Sequence, residues 1–186
     1  MKRLLLIIIL TFSFKSLTKA DDMKDLQIEG MSIGDSALDY FSESELKSNK
    51  KDWYNDNKFY AVVIDINSTN YDSLQLHFKP NDQKYIIHAI GGMKQFTDQN
   101  INDCYPLKKK VDLMLEELFE NSKINHQGKF KHPADQSEKS FVTQSYIDIN
   151  NGVVVTACYD LQLWDSDFRL IANTNEIDKW YGVAYK

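Results

Sequence analysis

The chain reads as one α+β domain, an antiparallel sheet or sheets with helices packed on one face. Three observations predict that class. Helical signals are confined to short stretches near 35–48, 103–118 and 175–180. β-Branched and aromatic runs bounded by turn residues fill much of the rest, and the order helix-βββ occurs twice with weak residue identity between the halves. With 186 residues, 42% hydrophobic side chains, 7 Gly and 3 Pro, the chain suits one core and is cramped for two. That composition also excludes disorder and collagen-like repetition.

The N-terminus differs in kind. Lys2 and Arg3 precede an unbroken apolar run from Leu4 to Leu10, extended through Thr11, Phe12, Ser13 and Phe14. The run has half the roughly 18–20 residues that a spanning helix requires, and Thr18-Lys19-Ala20 sets small residues three and one before a cut. Residues 1–20 are therefore expected to be a cleaved secretory signal, and residues 21–186 the single domain. The competing reading is an uncleaved anchor, which the basic Lys15 and Lys19 leave open. No Cys follows Ala20, so nothing supports a lipid anchor there. The expected location is periplasmic or secreted, with no stable membrane insertion after cleavage.

Without residues 1–20 the chain carries 18 basic and 27 acidic side chains, a net charge of −9. Arg169 is then its sole arginine. Bidentate clamps for phosphate or guanine are nearly absent, so nucleic acid is not an expected partner. The run Lys108-Lys109-Lys110 reads as a solvated helix face.

Along the domain, Asp35 or Ser36 caps a short helix with Leu38 and Phe41, and Ser42-Glu-Ser-Glu45 spells a capping box for a second. The β-branched run 59–66 predicts a strand buried on both faces. Strands near 73–79 and 84–91 flank Pro80-Asn81-Asp82-Gln83 as a hairpin loop. In the second half, Asp103 caps a helix whose seam is Leu107, Val111, Met114, Leu115 and Leu118. A polar stretch, 121–139, leads to a hairpin of 140–149 and 153–161 turning at Asn151-Gly152. A strand over 168–172 and a helix capped by Asn175 complete the order.

Periplasmic helix-plus-sheet modules such as outer-membrane assembly lipoproteins and β-lactamase inhibitor proteins share this element order, a likeness that carries no function. The strings GDSALDYFSE, NKFYAVV, HPADQSEKSFVTQSYIDINNG, VTACYD and NEIDKWYGVAY resemble a family of short secreted bacterial proteins without assigned activity. The loop Leu161–Asp167 departs from that pattern. The resemblance implies a compartment and no chemistry.

Few residues carry chemical signals. Cys104 and Cys158 are the only cysteines, both predicted to face the layer between helix and sheet, so a structural disulfide is expected, with a reactive or metal-binding thiol pair as the alternative. His77 and His88 fall diagonally on one face of the first hairpin. They are two weak metal candidates without a third ligand, against a simple polar face. His132 and Asp135 belong to a turn where a His–Asp contact is possible; Ser137 and Ser140 lie close in sequence, but nothing orders them. Asp65-Ile-Asn67-Ser-Thr69 begins like a calcium loop but has Asn70 and Leu76 where Gly and Glu belong.

Aromatics are plentiful. Trp53, Tyr54, Tyr60, Tyr146, Tyr159, Trp164 and Trp180 suit either a groove or a core. Tyr146 and Tyr159 share the hairpin face opposite Cys158 with Val153, Val155 and Ala157, and a face that apolar needs a cover. Tyr146, Tyr159 and Trp164 are the candidate binding residues. The function expected is a non-catalytic binding module for a protein or small ligand, without cofactor; the alternative is a secreted hydrolase using His132 and Asp135.

Overall fold

The structure, a computed structural model, describes residues 22–54, 56–96, 101–133, 135, 137–162 and 165–184. The expected signal segment lies outside them. The elements are α1 (Glu43–Ser48), β1 (Lys50–Lys51), β2 (Tyr60–Asp65), β3 (Ser73–Phe78), β4 (Ala89–Phe96), α2 (Cys104–Leu118), β5 (Ile124–Lys131), β6 (Phe141–Ile149), β7 (Gly152–Asp160), β8 (Ser166–Thr174) and α3 (Asn175–Ala184). The strands form one antiparallel sheet in the order β1-β2-β3-β4-β8-β7-β6-β5. The α+β class holds, with far more sheet than helix.

Helix-βββ twice does not hold. Each half is a helix followed by a four-stranded meander, and the two meanders join where β4 pairs with β8. One added strand, β1, has two residues; the other, β5, was hidden in the polar stretch. Edge strands need no continuous apolar face. Lys129, Lys131 and a register break between His126 and Gly128 equip β5 against pairing with another chain.

The first hairpin also differs from expectation. Residues 85–87 do not pair with β3: Ile87 exchanges backbone hydrogen bonds with Gly34 and Asp35, and the Tyr85 carbonyl accepts from the Ala37 amide. The apolar Tyr85-Ile86-Ile87 run is held by the N-terminal segment, and the strand starts later, at Ala89. In the second hairpin Ile149 pairs with Gly152, so Asn150-Asn151 is the turn. Gly152 is needed for another reason: a Cβ there would lie 2.0 Å from the Asn173 carbonyl oxygen on β8.

Strand alternation divides the sheet into two faces. Val62, Ile64, Leu74, Leu76, Phe78, Ile90, Phe168, Leu170, Ala172, Val154, Cys158 and Ile147 form one core, covered by the N-terminal segment, α1 and α2. A second cluster of Phe59, Ala89, Ile177 and Trp180 lies on the opposite face, beneath α3. The expectation that all helices share one face is therefore corrected. The chain enters α3 directly from β8, with Thr174 accepting from the Ile177 amide, and folds back over the other side.

The seam of α2 is corrected as well. The helix buries Cys104, Lys108, Asp112 and Leu115, whereas Leu113 and Met114 are more than half exposed and Leu107, Val111 and Leu118 lie at the flank. Two anchors set this rotation. Cys104 is disulfide-bonded to Cys158, with Cα atoms 5.9 Å apart. One turn further on, Lys108 Nζ donates to Asp112 Oδ2 at 2.7 Å and to the Ser145 hydroxyl, while the Ser145 and Thr156 hydroxyls donate to Asp112. A buried ion pair is tolerable when hydrogen bonds compensate the groups it takes out of water, and here the Ser145 and Thr156 hydroxyls do so.

Candidate functional site

On the face opposite α2, side chains line up across the sheet in rungs that register alone defines. The first runs Asp148, Val153, Asn173, Ala89, His77, Ala61. The second is Tyr146, Val155, Ile171, Gly91, Gln75, Val63, and the third Gln144, Ala157, Arg169, Met93. Val142, Tyr159, Asp167 and Gln95 make the fourth. Successive rungs are ~7 Å apart, two residues of extended chain. Among the described residues α3 reaches the first rung, where the Tyr181 hydroxyl meets His77. Val63, Gln75, Met93, Val155, Ile171, Tyr146 and Tyr159 are left part-exposed.

A concavity of about 270 Å³ opens beside α3, with Asp178 and Tyr181 on the helix side and Ala89, Gly91, Ile171, Val155, Met93 and Arg169 on the sheet side. Small residues make the depth: a Cβ on Gly91 would come within 3.3 Å of the Ile171 side chain. Tyr159 closes the far end, its ring 4.0 Å from the Arg169 guanidinium. Asp167 holds that guanidinium in a bidentate pair at 2.7 and 2.8 Å.

His77 anchors the wall. It is 2% exposed, and the Tyr54 and Tyr181 hydroxyls lie 2.9 and 3.0 Å from its Nε2. Burial pushes its pKa down to about 3, so the ring is neutral and pins both α3 and the segment before β2 to β3. His88 packs its ring on Phe59 instead. Among the described residues, no group of three or more His, Cys, Asp or Glu is placed to hold a metal ion.

The binding candidates Tyr146 and Tyr159 lie on this face as expected, one on the second rung and one on the fourth; Trp164 lies outside the described residues. Tyr54 and Trp180 pack edge to face, with centroids 4.5 Å apart, under α3. Sequence reasoning missed Asn173, Arg169 and Asp178, none of which belongs to a motif.

His132 packs edge to face on Tyr159, with centroids 5.7 Å apart, beside Arg169. Burial, with help from the Arg169 charge, holds its imidazole below the usual range. Asp135 caps its loop: its two oxygens accept from the Ser137 and Ser140 amides at 2.8 Å, and the hydroxyls of the same two serines, more than the amides, lower its pKa. A second hydroxyl cluster exists in the helix-covered layer, where Ser145 touches Lys108, Asp112 and His126 Nδ1, the last at 2.8 Å. Ser145 is 1% exposed, so no substrate reaches it.

The chain matches no family model, no curated protein and no solved structure. Among the described residues no helix is long and apolar enough to cross a membrane.

Proposed function

We propose that this chain is an exported, disulfide-stapled binding module that takes a small ligand on the open face of its sheet. The carrying observation is the walled concavity between α3 and β8, with part-exposed aliphatic and tyrosine side chains around it. Binding sites combine an apolar lining with a few placed polar groups, which describes this one. Both sheet edges are poor alternatives, β1 being two residues long and β5 charged and bulged. The Cys104–Cys158 bond suits an oxidising compartment. Hydrolysis by His132 and Asp135 has less behind it, because the Asp135 carboxylate is turned to its own loop amides.

A fragment set screened by amide chemical shifts tests the reading. Saturable shifts should cluster at Gly91, Met93, Val155, Tyr159 and Ile171, and Tyr159→Ser should weaken them. Hits that scatter, or gather on α2, would overturn it.

A further inference from the structure

Asn173 is the informative residue on this face. It sits in the middle of the first rung, 4% exposed and lining the concavity, and its side-chain Oδ1 finds no hydrogen-bond donor among the described residues. A buried carbonyl without a donor is destabilising, and native proteins seldom keep one without a reason. Asp178 faces the same space from α3. Burial pushes the pKa of its carboxyl up, and the charge of Asp148, at the end of the first rung, adds to the rise. The concavity thus presents an orphaned acceptor from the first rung and a carboxyl group from α3, with a second carboxylate, Asp148, acting on it.

Resting on the reading of the concavity as a ligand site, we infer that it takes the protonated amino group of a small organic amine, bound between Asn173 Oδ1 and the Asp178 carboxylate with its apolar body along Ile171 and Val155. An ammonium supplies three donors and no acceptor. It satisfies the amide oxygen and the carboxylate at once, whereas a hydroxyl supplies one donor and no charge. A dehydrated divalent ion fits poorly, since it seeks six or more oxygens. The Tyr181 ring lines the same space and is a further attraction for a cation. The net charge of −9 over residues 21–186 draws cations toward the molecule. The size of the concavity limits the ligand to a small molecule.

Three probes of one length separate the possibilities: n-pentylammonium, 1-pentanol and pentanoate, titrated into the disulfide-intact protein at 50 mM salt and followed by amide shifts. Pentylammonium should saturate with its largest shifts at Asn173, Asp178 and Ile171, and bind at least about tenfold more tightly than pentanol, the scale of a charge-assisted hydrogen bond. Asp178→Asn, a change on a part-exposed helix position, should remove that advantage, weakening pentylammonium at least about tenfold more than pentanol. Asn173→Leu, checked for folding by its melting curve, should do the same. Equal binding of pentylammonium and pentanol overturns the amine assignment and leaves the ligand site standing. Stronger binding of pentanoate overturns it too and points to the Arg169 end. No saturable shift with pentylammonium also overturns it, and the ligand site then stands or falls on the neutral fragments.

Discussion

Lowering the pH should destabilise the fold through His77. In the native state its ring is buried, bonded through Nε2 to two tyrosine hydroxyls, and its pKa is about 3. Unfolded, it titrates near the ordinary ~6.5. Above that value neither state holds the proton and the group contributes nothing to the pH dependence. Between ~6.5 and about 3 the unfolded state alone binds it, so stability falls by on the order of 1 kcal/mol per pH unit. From pH 6.5 to pH 4 the loss is ~3 kcal/mol, a large share of a typical domain's total. Tyr54, Tyr181 and Gln75 are the side chains hydrogen-bonded to the ring, and none carries charge in this range. Urea unfolding at pH 7, 6, 5 and 4, compared between wild type and His77→Gln, isolates the effect because other groups cancel. The variant should begin less stable at pH 7, having lost the ring that ties the Tyr54 and Tyr181 hydroxyls together, and the two curves should converge as pH falls. Parallel curves would show that the ring is protonated in the folded protein and refute the argument.

Other expectations are as direct. Reducing the Cys104–Cys158 bond, which closes a 54-residue span, should cost about 4 kcal/mol and lower the melting temperature while far-UV circular dichroism keeps its folded form; an unchanged melt would remove the bond from the account of stability. Gly152→Ala places a methyl group against the Asn173 carbonyl and should cost about 3 kcal/mol or more in urea unfolding, more than Gly128→Ala, where nothing lies within 4 Å of the added carbon and only the left-handed backbone, at φ 71°, opposes the change by about 1–2 kcal/mol. Lys108→Met strands Asp112 in the layer between α2 and the sheet, for a loss of about 3–5 kcal/mol. Lys108→Met with Asp112→Leu should recover more than half of it, and a double-mutant cycle showing simple additivity would refute the coupling.

Faces proved more legible in the sequence than partners. The second hairpin turns one residue earlier than Asn151-Gly152 suggests, which shifts each pairing by two residues. A two-residue shift keeps alternation intact, so Cys158 still faces α2 and Tyr146 and Tyr159 still share the other side. That parity is why the disulfide was within reach of sequence reasoning. The α2 seam failed because hydrophobicity was allowed to choose the buried stripe. A covalent bond and a Lys108–Asp112 pair hydrogen-bonded to Ser145 and Thr156 outweighed Met114, and no periodicity scale assigns a Lys and an Asp to a core. The start of β4 failed because Tyr85-Ile86-Ile87 has strand composition and a use elsewhere, against Gly34 and Asp35.

The same distinction explains why the candidate site stayed hidden. Which face a residue occupies depends only on odd or even position, but which residues share a rung depends on the pairing of every strand between them. Asn173, Ala89 and His77 come from positions as far as 96 residues apart and meet only through the β8-β4-β3 register. The depth of the site comes from what is missing, Gly91 and Ala89 where larger side chains would fill it, and small residues carry no signal of their own in a single sequence. Its wall comes from α3 crossing to the open face, a placement set where β8 runs directly into the helix. Tyrosines marked the face from the sequence; the acceptor at its centre became visible only once the rungs were in place.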